Sequence, residues 1–266
     1  MTVQDSAATR WKQASDLLWD RWHSGRRIGQ LPDDVRPRTR EEGYSIQACL
    51  EERSSKPLAG WKIAATSTAG QQHINVDGPL AGRLLAEQMF ESGADLPFGA
   101  NHMRVAEAEF AFRMNLDLPP RAAPYTVDDV LSAVGTLHPA IEIPDSRYED
   151  FTIVGAPQLI ADNACAHLFV LGPAAPKDWR TVDLVEHRVL GAVVGAAARE
   201  GKGANVLGDP RIALTWLANE LSSHGLTLRA GEVVTTGTCL IPLPIAAGAH
   251  VVMDFGRFGI VTTTLR

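Results

Sequence analysis

Apolar residues recur at helical spacing in residues 8–23, where Trp11, Leu17, Leu18 and Trp22 are separated by polar positions and Gly25 follows. This pattern predicts an amphipathic first helix. Pro32 and Pro37 make the next stretch a linker, after which Thr39 and Glu42, three apart, read as a capping box. That box opens a second helix through Tyr44, Ile46, Cys49 and Leu50. From Gly60 the texture changes to short β-branched and apolar runs broken by Gly93, Pro97 and Gly99, which predicts strands and loops. Helical texture returns in two places. Thr126 with Asp129 caps a helix over VDDVLSAVG that is expected to stop at Gly135, and Asp209-Pro210 opens one over RIALTWLANELSSHG that stops at Gly225. The last forty residues alternate β-branched runs with Gly and Pro and predict a strand-rich end. No seam or fixed repeat divides the chain. The expectation is one α+β domain over 1–266, with a mainly helical segment at 1–58 and a β-rich catalytic body at 59–266.

With 266 residues, 45% hydrophobic and 21% charged, the chain is long enough for a sizeable core and unlike collagen, disordered or coiled-coil sequences. No run of 18 apolar residues occurs, so a membrane partner is not expected. The first residues carry acids and tryptophans instead of a basic start and an apolar block, which points to the cytoplasm. Cys49, Cys165 and Cys239 are widely spaced and form no C-x-x-C, which argues against a disulfide framework or zinc knuckle. The net charge of −6 comes without a basic cluster, and nucleic acid is excluded as a partner. The chain has neither G-x-G-x-x-G order around GKGANVLG nor a P-loop, and Cys165 near His167 lacks an orienting acid.

Candidate chemistry begins at Glu107-Ala-Glu109 inside VAEAEFAFRM. On a strand these two carboxylates share a face roughly 6.6 Å apart, with Phe110 and Phe112 on the opposite parity. Burying both raises their pKa values unless a cation sits between them. Glu142, between Ile141 and Ile143, is a third acid in a similar apolar alternation. Three such carboxylates converging from two strands make a hard oxygen site suited to Mg²⁺ or Mn²⁺. No histidine pair has zinc-ligand spacing.

Several blocks together carry a family resemblance: GWKIAATS (60–67), AEAEFAF (106–112), HPAIEIPDSR (138–147), ADNACAH (161–167), NVLGDP (205–210), WLANEL (216–221) and TTGTCLIPLP (235–244). Their order over residues 39 to 262 resembles the 2-keto-4-pentenoate hydratases of the fumarylacetoacetate hydrolase superfamily. The resemblance implies that superfamily's mixed β-roll or barrel with flanking helices, and a homo-oligomer associated with a pathway aldolase or decarboxylase. It implies Glu107, Glu109 and Glu142 as metal ligands, Lys62 and Asp162 as catalytic residues, and Asn163 and Thr238 as substrate-binding residues, with the Asp162-Asn163 pair supporting the site. Thr66 and Ser67, which follow Lys62, are expected either to line the pocket as substrate-binding residues or to cap the loop. The implied substrate is a small 2-hydroxy-2,4-dienoic (2-oxo) acid from aromatic catabolism, hydrated to a 4-hydroxy-2-oxo acid. Decarboxylation of a 2-oxo-3-enedioate ranks second and acylpyruvate C–C hydrolysis third; a silent partner subunit is the non-enzyme alternative. Two departures leave the substrate tail open: DGPLAGRLL (77–85) lacks the acid and aromatic that many hydratases carry after the proline, and Ala64 replaces a common glycine. Ala249 also replaces an acid, a change expected to act at the level of the turn.

Overall fold

The computed structural model describes residues 3–266, with side chains from Ala7 onward. The first helix, α1 (Val3–Ser24), and α2 (Arg40–Ala48) form an N-terminal pair whose buried faces meet through Ala14, Leu18 and Ile46. Leu31, Val35, Tyr148 and Ala161 complete that small cluster. Thr39 caps α2 by accepting from Glu42 N–H, but the Glu42 carboxylate turns instead to Arg38 N–H and Arg10. Only half of the expected capping box therefore forms.

The body holds strands β1 (Gly60–Ala64), β2 (Leu80–Leu84), β3 (Met89–Glu91), β4 (Asp95–Leu96), β5 (Val105–Met114), β6 (Val134–Ile143) and β7 (Leu168–Leu171). They are followed by β8 (Arg188–Val193), β9 (Arg199–Lys202), β10 (Val233–Thr238), β11 (Leu243–Pro244), β12 (His250–Asp254) and β13 (Ile260–Leu265). One mixed sheet runs β2-β1-β10-β5-β6-β7-β3, with β11 also on β5; a second runs β4-β13-β12-β8-β9. Helices α3 (Thr68–His73), α4 (Val127–Ala133), α5 (Ala156–Ala161) and α6 (Pro210–Ser223) flank them. Asp209 caps α6 through Arg211 N–H with Pro210 in the first turn, as its sequence predicts.

Helix α4 has the full capping box of Thr126 and Asp129, but it does not stop at Gly135. It ends at Ala133, and the chain passes directly into β6, with Gly135 inside that strand. Pairing of β6 with β5 from Val134 onward outweighs the local glycine signal.

Strands β5 and β6 form the centre, and their two faces do different work. Phe110 and Phe112 point into the main core, where Phe110 meets Phe255 of the second sheet edge-on at 5.2 Å and Phe112 packs on Trp179 at 5.8 Å. The other parity of β5 carries Glu107, Glu109 and Ala111. Phe110→Ala is expected to destabilise the protein by about 3–5 kcal/mol, because it empties the contact between the two sheets. Urea unfolding checks this, and a loss below about 1 kcal/mol would contradict the packing described.

Candidate active site

Four adjacent strands, β1, β10, β5 and β6, bring the site together. In the register, Glu107 lies directly opposite Glu142, and Glu109 is opposite Ala140, whose small side chain leaves room beside it. On β1, Lys62 is level with Thr235 of β10, which is level with Ala111 of β5. One face of the sheet thus presents an ammonium, a hydroxyl and three carboxylates. The three glutamates each offer an oxygen within 4.8 Å of the others.

A bulge shapes the middle of this face. Between Thr235 and Thr238, β10 takes three steps while β5 takes two from Ala111 to Glu109. Gly237, at φ +96°, supplies the turn, and its N–H donates to Glu109 Oε2 at 2.7 Å. The Thr235 hydroxyl donates to the same oxygen. A Cβ at position 237 would sit 1.9 Å from Thr66 Oγ1, so glycine is required for both the φ and the close approach.

Lys62 is buried, with 3% of its surface exposed. Its ammonium donates to the Ala164 carbonyl at 3.1 Å and lies 3.4 Å from Glu142 Oε2, an ion-pair contact outside hydrogen-bond geometry. The Ala164 carbonyl is aimed by an uncommon backbone: Asn163, Ala164 and Cys165 have φ of +55°, +50° and +61°. A left-handed residue costs about 1 kcal/mol or more without glycine, so the surroundings must hold this turn.

Asp162 and Asn163 hold it. The Asp162 carboxylate receives Arg147 Nε, Arg147 N–H at 3.0 Å and Ser146 Oγ at 2.7 Å. The Arg147 guanidinium also donates to the carbonyls of Asp162, Asp145 and Ala166, and stacks on Trp22 at 4.6 Å. Asn163 pairs its side-chain amide with both backbone groups of Arg83 on β2, at 2.6 and 2.9 Å. Opposite Lys62, Gly82 lets the turn pack against β2, because a Cβ there would meet the Asn163 carbonyl at 2.4 Å.

A cavity of about 960 Å³ opens over the face. Lys62, Glu107, Thr66, Ser67 and Thr238 line it; Asp162 and Asn163 do not. The expected catalytic role of Asp162 and substrate contact of Asn163 do not fit that placement. Both are buried in the scaffold that aims Ala164 at Lys62. Ser67 also caps α3 by accepting from Gly70 N–H at 3.0 Å, and Thr238 Oγ1 donates to the Leu240 carbonyl at 2.7 Å. Cys165 lines the cavity too, but burial pushes its thiol up to about 12, so it stays protonated.

Sequence reasoning missed Arg147, Thr235 and Gly237. Arg147 and the Thr-Gly pair stand inside the quoted blocks HPAIEIPDSR and TTGTCLIPLP, where a buried guanidinium and a bulge glycine leave no spacing signal of their own.

Charge shows what the face lacks. Burial raises the pKa of all three glutamates, and Glu109, under the added charge of Glu107, is pushed to about 7. Burial alone would lower Lys62, but Glu142, Glu107 and Glu109 hold it above its ordinary value. Three carboxylates against one ammonium leave two negative charges uncompensated. Among the described residues, Glu109 Oε1 and both oxygens of Glu142 accept no hydrogen bond. Orphaned buried carboxylate oxygens converging on one point are the donor set of a hard divalent cation, which the three glutamates fit.

The two sheets and their flanking helices form a fold already seen in solved structures. 4-Oxalocrotonate decarboxylase from Pseudomonas putida G7, solved with magnesium and adipate, superposes with a TM-score of 0.87 at 24% identity, covering 100% of this chain and 99% of that one. In sequence, the chain is 36% identical over 217 residues to the 2-keto-4-pentenoate hydratase of Burkholderia vietnamiensis, covering 80% of this chain and 81% of that protein. It is 34% identical over 236 residues to the 2-hydroxyhexa-2,4-dienoate hydratase of Comamonas testosteroni, covering 87% and 88%. No protein-family profile matches. The chain belongs to the 2-keto-4-pentenoate hydratase family.

Asp162→Ala is expected to lower the unfolding free energy by about 3–5 kcal/mol, because it leaves the buried Arg147 charge uncompensated. Chemical denaturation checks this, and parental stability would show that the pair does not hold the turn. The glutamates give a second expectation. Their folded pKa values lie above the ordinary 4.5, with Glu109 at about 7, so the metal-free folded state binds more protons than the unfolded chain in that window. Stability from this cluster therefore falls as pH rises from 4.5 to about 7. Mn²⁺ at a hundredfold excess over its Kd at pH 8 should stabilise the protein by ~2.7 kcal/mol at that pH, and the same Mn²⁺ concentration should raise the melting temperature less at pH 5.5, where protons compete for the carboxylates. Equal increments by thermal denaturation would contradict the assignment.

Proposed function

We propose that the protein is a divalent-metal-dependent hydratase that converts a 2-hydroxy-2,4-dienoate and water into a 4-hydroxy-2-oxo acid. The observation that carries this is the trio of clustered carboxylates, Glu109 and Glu142 buried and Glu107 half-buried, with Lys62 beside it; Glu107 and Lys62 line a cavity large enough for an organic acid. Glu107, Glu109 and Glu142 would hold Mg²⁺ or Mn²⁺, the ions that an all-oxygen donor set suits. Bound there, the ion supplies a Lewis acid that polarises the C2 oxygen of a 2-oxo acid.

The chain's own residues do the rest. Lys62 keeps its proton beside three acids, so its ammonium serves as a fixed positive charge and proton donor to the oxygen-bearing end of the substrate, not as a base. Its position is set from two sides, by the Ala164 carbonyl and by Glu142. Thr235 and Gly237 N–H fix one oxygen of Glu109 and leave the other facing the cluster. Ketonisation of the dienol moves a proton from the C2 hydroxyl to C5 and leaves C4 electrophilic. Water then adds at C4 while C3 takes a proton.

Hydratases at 34% and 36% identity support hydration over the decarboxylation ranked second from the sequence, which has likeness of fold alone in its favour. Glu107→Gln and Glu142→Gln are each expected to reduce metal-dependent turnover by ~10³-fold or more, about 4 kcal/mol of transition-state stabilisation, with the melting temperature of the metal-free protein unchanged or higher. Lys62→Ala should lower kcat by ~10²-fold while metal affinity changes less than tenfold. Dienol disappearance in the ultraviolet and Mn²⁺ titration measure these effects, and parental kcat in any of the three variants would remove that residue from the site.

A further inference from the structure

Beyond the charged floor the larger part of the cavity wall is apolar. Ile74, Leu80, Met103, Phe151, Leu159 and Leu207 face it. Among the described residues that line it, Lys62 is the only one with a permanent positive charge, and that charge is committed to the floor by Glu142 and the Ala164 carbonyl. Three of the polar lining side chains already donate within the protein. Gln71 Nε2 donates to the Ala65 carbonyl, Asn205 Nδ2 to the Cys239 carbonyl and Thr238 Oγ1 to the Leu240 carbonyl. Arg199, near the rim, donates to the carbonyls of Ile241 and Pro242. His73, which lines the cavity from α3, is exposed and carries no permanent charge.

An acid with a second carboxylate would have to lose the hydration of that group against these walls without a cation to receive it, which is strongly unfavourable. An alkyl or aryl tail gains from the same surface, because apolar area leaves water on both sides. The cavity, about 960 Å³, is also far larger than a five-carbon acid needs.

We propose that this enzyme takes 2-hydroxy-2,4-dienoates bearing an uncharged alkyl or aryl tail beyond C5, held against Ile74, Leu80, Phe151 and Leu159, and discriminates against a tail ending in a carboxylate. The proposal rests on the hydratase reading and narrows it to monoacid substrates. An upstream reaction supplying it must therefore cleave a ring whose side chain is a hydrocarbon, not an acid.

Two measurements test it with the full-length protein. In the first, kcat/KM is compared, with Mn²⁺ present, for dienoates carrying propyl, phenyl or a terminal carboxymethyl group at C5. At least a tenfold preference for propyl and phenyl over the carboxylate is expected; an equal or better rate with the diacid would overturn the proposal and leave the hydratase reading intact. In the second, calorimetry compares 2-oxooctanoate with 2-oxosuberate, saturated acids of equal length that need no turnover. Tighter binding of the monoacid by at least tenfold supports the tail assignment even if no dienoate is hydrated, a result that would remove the hydratase reading alone. Equal binding overturns the assignment. Ile74→Arg, at a half-buried wall position, should raise the ratio of diacid to monoacid kcat/KM at least tenfold, and an unchanged ratio would also count against it.

Discussion

The structure depends on confining three carboxylates, two buried and one half-buried at the cavity, with oxygens within 4.8 Å of one another. Like charges so placed repel, and burial raises the cost of each. The fold concedes one cation, Lys62, and two neutral donors at Glu109, the Thr235 hydroxyl and Gly237 N–H. Two formal negative charges and three bare oxygens remain, so the resting site is incomplete by about the charge of one divalent ion. Stability is given up locally at a site whose donor set suits a divalent ion, a trade common where folds carry function.

Two backbone irregularities make the confinement possible. The bulge at Gly237 rotates an amide toward Glu109 that a regular ladder would have spent on β5. The left-handed turn at Asn163–Cys165 presents a carbonyl to Lys62 from outside the sheet. Each irregularity is backed by tight packing: Gly237 lies against Thr66, and Gly82 lies beneath the turn. Arg147 and Asp162 lock the turn from behind. The face is therefore held in part by groups that do not touch it, Arg147, Asp162 and Asn163.

How much of this was legible in the sequence follows from the range of each interaction. Period-two alternation in VAEAEFAFRM placed Glu107 and Glu109 on one face, because strand parity is a local property. Caps at Thr126 and Asp209 were local too, and both formed. The stop at Gly135 failed because pairing between β5 and β6, a long-range interaction, decided where the helix ended. Lys62 could be singled out only through its surrounding block, since no local pattern distinguishes a lysine buried among acids from one on the surface. The Asp162-Asn163 pair stood out as residues without showing their task. That task depends on an arginine fifteen residues away and on a turn whose run of positive φ values the propensities of Ala and Cys would not suggest.

The central claim, that Glu107, Glu109 and Glu142 form one cation site, is tested most directly by diffraction from crystals soaked in Mn²⁺, collected at the manganese absorption edge. The account predicts a single strong anomalous peak within coordination distance, about 2.0–2.3 Å, of an oxygen from each of the three glutamates. Full soaking with no peak there, or a peak bound to other residues while the three carboxylates stay bare, would contradict it.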